Sequence, residues 1–256
     1  MEEYNMGAMR ILEINPSVAL KPYVERYYLF ENVDERLSRY AFRALPNGMV
    51  ELFLLFNGNR IVFLGNRQRR TSSGFIAGIF ELDHPMKVKI ELNGHPMRGM
   101  GIVLTHLGVN RILDVNLCEL TNKILEFSSI WSSNLQWLPR DVLDTGEASQ
   151  KLKSLNDFFL NQVSANRRPN QRILVVLNRL EQMGGPLTVE RLAREFNISY
   201  KSLYRMFVED MGLTPKMYLK ILRFNLACRM LSRRPSMNWV DLVDRCGYYD
   251  QSHFIH

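Results

Sequence analysis

Cysteine is scarce in this chain: three among 256 residues, at Cys118, Cys228 and Cys246. So few and so widely spaced, they build neither a disulfide framework nor a four-ligand zinc site, and read as small core residues of a reducing compartment. Long apolar runs are missing as well. No stretch of eighteen apolar residues occurs, and the opening "MEEYNMGAMR" carries acids where a signal peptide carries basic residues ahead of a hydrophobic segment. The expectation is a soluble, cytoplasmic protein with no membrane partner. Neither a glycine-rich phosphate loop, nor a nucleophile elbow, nor paired catalytic carboxylates can be found. That leaves no support for an enzyme or a cofactor. Histidine is also rare. His84, His95 and His106 recur at intervals of eleven, but the first two precede prolines in turns, and no His-x-His pair or suitably spaced acid completes a metal shell. No metal site is expected.

What the chain does have is unevenly spread. Residues 1–164 hold 18 Lys plus Arg against 18 Asp plus Glu, whereas residues 165–256 hold 15 against 8, so the whole net charge of +7 belongs to the rear. Such a local excess suits a polyanion, either nucleic acid or an anionic membrane face. The hydrophobic pattern divides at the same place. "VELFLLF" (50–56) and "RIVFLG" (60–65) are strand-like runs joined by Asn57-Gly58-Asn59, which predicts a tight hairpin. "GFIAGIFEL", "KVKIEL" and "MRGMGIVLT" follow as further short strands broken by turn residues. Their number predicts a barrel or sandwich. From about residue 107 the period becomes helical in "NRILDVNLCELTNKILEF" and "QKLKSLNDFFLNQV". "SANRRPNQ" (164–171) then ends the pattern, giving a front domain of 1–164 and a rear domain of 165–256.

The rear reads as helices throughout. Ile173, Leu174, Leu177 and Leu180 share one face of a helix stopped by Gly184-Gly185-Pro186. Thr188 can cap a short helix carrying Val189, Leu192, Ala193 and Phe196, and Ser199 can cap the next, which runs to about Asp210 before Gly212. Thr214-Pro215 opens a longer helix through Leu231. A helix, a tight turn and a helix of about three turns have the dimensions of a helix-turn-helix. In its second helix Leu203 and Phe207 point to the core, while Lys201, Tyr204 and Arg205 fall together on another face. That face is either a solvated surface or a groove reader, since Arg bridges guanine O6 and N7 and Lys donates to base or phosphate. A second unit follows: Trp239, Leu242, Val243 and Cys246 as packing residues, Gly247 as the turn, and a further helix starting near Asp250 with Phe254 inward. Gln251 and Ser252 sit at the start of that helix, with His256 one turn on.

On these residues the segment from about 187 to 256 resembles the DNA-binding domain of the AraC/XylS family of transcription regulators. The match rests on "LAREFNISYKSLYRMFVEDMGLTPKMYLKILRFNLACRML" and "CGYYDQSHF". The resemblance implies bipartite recognition of double-stranded promoter DNA, with Lys201, Ser202, Tyr204 and Arg205 of the first unit, and Gln251, Ser252 and His256 of the second, facing the groove. It further implies a transcription regulator, a small-molecule effector, pairing as a homodimer, and contact with RNA polymerase if the protein is an activator. Family members continue past the point where this sequence stops at His256, so the second unit is expected to be incomplete, frayed and weaker in binding. The front resembles, less specifically, the uncharacterised sensor-like domain attached to such regulators in Bacteroidetes-type bacteria, through "LKPYVERYYLFE", "ALPNGMVELFLLF" and "GIVLTHLGVNRIL". A "F-P-G-G" pattern usual there is altered to Thr105-His106-Leu107-Gly108.

The expected fold is therefore mixed. It comprises an N-terminal β-barrel or sandwich-like domain with flanking helices, then an all-α domain with two helix-turn-helix units. Ligand-binding candidates in the front are Glu51, Tyr28 and Trp131. Glu51, an acid inside an apolar strand, either faces solvent, pairs with Arg43 or Arg60, or lines a cavity. Tyr28, Trp131 and their aromatic neighbours either line a pocket or pack as ordinary core. The helix around 149–163, with Leu152, Leu155, Phe159 and Val163, is either a dimer surface or folded back on the sheet. Two rival readings are a small-molecule-binding β-domain protein whose helical tail is a protein-interaction module, and a metal-dependent cupin-like enzyme.

Overall fold

The computed structural model describes residues 2–6, 9–32, 39–44, 47–56, 60–65, 68–72, 74–81, 86–91, 97–113, 115–130, 148–165, 171–182 and 187–248. The front half is two antiparallel sheets. The larger has seven strands in the order β1 (Glu2–Met6), β2 (Met9–Ile14), β3 (Val24–Asn32), β10 (Arg98–Leu104), β5 (Val50–Leu55), β8 (Gly74–Ala77) and β11 (Ile124–Glu126). The smaller has the order β4 (Arg39–Ala44), β9 (Met86–Glu91), β6 (Arg60–Gly65) and β7 (Gln68–Ser72).

Two sequence expectations fail here. β5 and β6 do not form a hairpin, because β5 is bonded on its edges to β10 and β8 while β6 belongs to the other sheet between β9 and β7. A strand apolar on both faces takes a central position, and long-range partners then occupy both of its edges. Nor is residues 110–127 one helix. It is a π-helical turn (Val109–Leu113), a single turn α2 (Leu117–Leu120), and then β11, which extends the large sheet by pairing with β8. Asn122, at φ 55, turns the chain between α2 and β11, and its side chain accepts from Glu81 N at 3.0 Å.

The period-2 alternation sorts the two faces of the large sheet. Val50, Leu52 and Leu54 of β5 and Met100, Ile102 and Leu104 of β10 point to the principal core, which also takes in helix α4 (Ala148–Ala165) through Leu155, Phe159 and Val163. These α4 residues are buried within their own chain, and the Tyr27 hydroxyl donates to Asn156 Oδ1 at 2.9 Å, so α4 folds back on the sheet. The opposite face carries a second, smaller cluster of Met9, Phe30, Leu55, Phe75, Ala77 and Met97.

The rear half is helical: α5 (Gln171–Gln182), α6 (Val189–Glu195), α7 (Tyr200–Met211), α8 (Pro215–Arg233) and α9 (Trp239–Cys246), following the shorter α1 (His106–Gly108) and α3 (Phe127–Ile130) of the front. The principal core runs without a break from the sheet into these helices, through Met211, Tyr218 and Ile221. No described helix is long and apolar enough to cross a membrane.

Candidate nucleic-acid interface and its contact with the front half

Local chemistry sets the α6-turn-α7 unit. Thr188 caps α6 by accepting from Arg191 N at 3.2 Å, and Asn197, at φ 49, makes the turn, after which Ile198 N donates back to Ala193 O at 3.0 Å. Ser199 caps α7 by accepting from Ser202 N at 3.1 Å. Leu203, Phe207 and Met211 are completely buried and fix the helix on the core. The other side of α7 is open: Lys201, Ser202 and Arg205 are exposed, and Tyr200 and Tyr204 are 53% and 42% exposed. The two tyrosine rings stack with centroids 6.4 Å apart. Tyr200 was missed by the sequence reading, although its i, i+4 spacing from Tyr204 was a usable signal. Arg205 reaches only a loose ion pair with Glu209, 3.9 Å away and itself exposed, which leaves the guanidinium available. Ser202 Oγ lies 2.9 Å from Ser199 Oγ, so this hydroxyl also serves the cap.

Helix α8 connects the two units. Thr214 caps it by accepting from Met217 N at 3.2 Å, with Pro215 in the first turn. At its middle, Arg223 donates to the Gly247 carbonyl at 3.2 Å and lies 5.9 Å from the centroid of the Tyr248 ring, tying α8 to the turn after α9. Leu242 and Cys246 of α9 are buried against Ala227. Trp239, expected among these packing residues, is instead 45% exposed at the first position of α9, next to its cap Asn238.

The front half grips α8 at one turn. Gly48, at φ 75, brings the backbone so close that a Cβ there would lie 3.2 Å from Ile221 Cγ2 and 3.8 Å from the Tyr218 ring. Asn225 Nδ2 donates to the Asn47 carbonyl at 2.7 Å, and His106 Nε2 stands 3.4 Å from the Tyr218 hydroxyl. Burial lowers the His106 pKa from its ordinary 6.5 to about 4, against the opposing pull of its Gly48 backbone hydrogen bond, so the ring is neutral at pH 7. Thr121 Oγ1 donates to the Met211 carbonyl at 3.1 Å, tying α2 to the end of α7.

The same turn leads into Glu51. Its carboxylate accepts from Asn47 Nδ2 and, at 3.2 Å, from the Tyr28 hydroxyl. Asn47 Oδ1 accepts from Met49 N at 2.8 Å, which fixes the amide. Burial raises the Glu51 pKa, and Arg26, Tyr28 and Asn47 act against that rise.

Residues 192–256 match a family described as a helix-turn-helix domain, and residues 12–126 match a domain of unknown function, DUF6597. The transcriptional activator RhaS of Escherichia coli is 35% identical over 65 residues, and that of Citrobacter koseri is 37% identical over the same length; each match covers 25% of this chain and 23% of the relative. The rear segment is similar to a helix-turn-helix domain. ToxT of Vibrio cholerae superposes on 96% of this chain and 91% of its own, at 10% identity and a TM-score of 0.46.

In this helix-turn-helix segment the structure brings Lys201, Ser202, Tyr204 and Arg205 together on the open side of α7. Gln251, Ser252 and His256 lie outside the described residues, as do Trp131, His84, His95 and the hairpin residues 57–59, while Arg43 and Arg60 belong to β4 and β6 of the smaller sheet. Glu51 and Tyr28 do meet, through their hydrogen bond. Among the described residues no group of three metal-ligating side chains is close enough to hold an ion.

Proposed function

We propose that the chain is a sequence-specific transcription regulator, organised as a front unit of residues 1–164 that senses an effector or pairs subunits and a rear unit of residues 165–256 that reads promoter DNA. The observation that carries the reading is the open face of α7, where Lys201, Tyr204 and Arg205 stand above the fully buried Leu203 and Phe207. A helix seated this firmly can enter a major groove without losing its packing. Lys201 and Arg205 then contact base edges and phosphates, and the Tyr200 and Tyr204 rings offer apolar surface with hydroxyl donors. The second unit places Gln251, Ser252 and His256 in the next groove, and the basic excess supplies sequence-independent attraction. In the manner of the activators its rear domain resembles, an activating role would add a contact with RNA polymerase.

Effector response has a physical route. The Asn47-Gly48 turn touches Glu51 on one side and α8 on the other, and α8 joins the two reading units. A shift at the sheet thus reaches the spacing of the two recognition helices. The test is selection of bound fragments from random genomic DNA by the full chain at two salt concentrations. One enriched motif with a steep salt slope is expected. Binding with no enrichment reduces the rear unit to a nonspecific polycation, and no binding at all moves the weight to a ligand-binding front with an interaction tail.

A further inference from the structure

The face of the large sheet opposite the helices has an unusual floor. Across β3, β10 and β5 the register sets Arg26, Val103 and Glu51 in one row and Tyr28, Gly101 and Phe53 in the next, with β8 adding Ala77 and Phe75. Gly101 is what lets an aromatic lie flat there: a Cβ would stand 2.0 Å from Tyr28 Cζ. Phe53 and Phe75 stack at 4.8 Å, and Tyr28 meets Phe53 edge-on at 6.2 Å. Glu51, Tyr28 and Phe53 are each half-buried, so small molecules of solvent reach this floor.

Among the described residues the carboxylate on that floor makes no ion pair, and the Arg26 charge acts on it only from across β10, in the same row. Among the described residues Glu51 has two neutral hydrogen-bond donors, and the basic residue that acts on it electrostatically, Arg26, pairs with Glu13 at 3.5 Å. Glu31, further along β3, makes the contrast, because both Arg10 at 3.2 Å and Arg98 at 3.5 Å attend it. A half-buried carboxylate without a direct ion pair is unfavourable, and aromatic faces beside it attract positive charge. We infer that this floor binds a small organic cation, an amine or guanidinium with an apolar body, with Glu51 as its counter-ion and the Tyr28 and Phe53 rings, backed by the buried Phe75, against its hydrocarbon part. A cation that draws the carboxylate away from Asn47 alters the turn holding α8.

The inference rests on the sensor reading of the front unit and names its ligand class. Its test uses the full chain without DNA, so failure here leaves the DNA-binding reading standing, and failure of DNA selection leaves this result intact. Benzylammonium, phenethylammonium and agmatine are titrated by calorimetry and in melting curves, beside the neutral benzyl alcohol and 2-phenylethanol. At ten times Kd a binding cation should raise Tm by roughly 3–6 °C, while the alcohols should not. Glu51→Gln should weaken the cations at least about tenfold, the loss of a charge-assisted contact, and leave the unliganded Tm equal or higher. The inference is overturned if no cation binds at millimolar concentration, if the alcohols bind as well as the amines, or if Glu51→Gln binds them unchanged. The contrast between cations and alcohols on the unaltered chain decides the matter even if the variant fails to fold.

Discussion

Arg205 and Arg191 are exposed arginines on neighbouring helices, yet their surroundings assign them different work. Arg205 projects from the open face of α7 between Lys201 and Glu209, where the proposed reading has it contact base edges, whereas Arg191 sits in the first turn of α6. Arg205→Ala should cost specific binding about 1–3 kcal/mol and relax one base position. Arg191→Ala should weaken all sequences alike and reduce the salt slope by about one. Competition binding at fixed salt compares them, and equal losses for specific and nonspecific DNA in Arg205→Ala would make it a phosphate contact. His106 supplies a second residue-scale expectation. Its folded pKa of about 4 lies below the ordinary 6.5, so between these values the unfolded chain binds more protons than the folded one. Stability from this site is therefore complete above pH 6.5 and is lost as pH falls toward 4, by up to about 3 kcal/mol. Urea titrations from pH 7 to 4 should show that slope, and His106→Gln should flatten it. Glu51, with its pKa raised, contributes the opposite slope, since its protonation on acidification relieves a buried charge.

At the scale of elements, α6, α7 and α8 were the most legible parts of the chain, because the groups that start and stop them lie within a few residues. Thr188, Ser199 and Thr214 were expected as caps, and each side chain accepts from the backbone N–H three residues on. Gly212 and Gly247 close α7 and α9 in the left-handed conformation. Replacing Ser199 by Ala should destabilise the rear unit by about 1 kcal/mol, read as a small drop in the urea midpoint, and should loosen Ser202 on the reading face. Leu203→Ala, which empties a fully buried position, should cost about 2–5 kcal/mol. If the two substitutions cost the same, the burial argument for α7 is wrong. Strands were legible as strands and not as partners. The run at 50–56 and the run at 60–65 both alternate correctly, but the choice of β10 and β8 for β5 is made by side chains about fifty residues and twenty residues away. The apolar period of 110–127 misled for a similar reason: Ile124 and Leu125 fit a helix face locally, and the open edge of β8 took them as a strand instead.

The whole molecule is held by a core continuous from the sheet to the rear helices, so front and rear are expected to unfold together in the native chain. Ile221, fully buried under Gly48, is the test position. Ile221→Asp puts a charge into that contact and should separate the transitions, with the rear unit melting first while the sheet persists. Far-UV circular dichroism followed alongside tryptophan fluorescence would show coincident curves for the native chain and split curves for the variant. Persistent coincidence would mean that the Asn47-Gly48 contact does not hold the halves together. By itself the sequence determined the rear domain's helices, their caps and turns, the exposed row of Lys201, Tyr204 and Arg205, and the existence of a β-rich front. Those features depend on neighbours three or four residues apart, or on alternation along one strand. Only the tertiary structure decided that Glu51 lies among Tyr28, Phe53 and Phe75 with no ion pair to a described residue, and that the turn before it rests on α8. Those arrangements depend on strand register and on contacts reaching 178 residues along the chain, where long-range packing chooses the partner and local pattern has no vote.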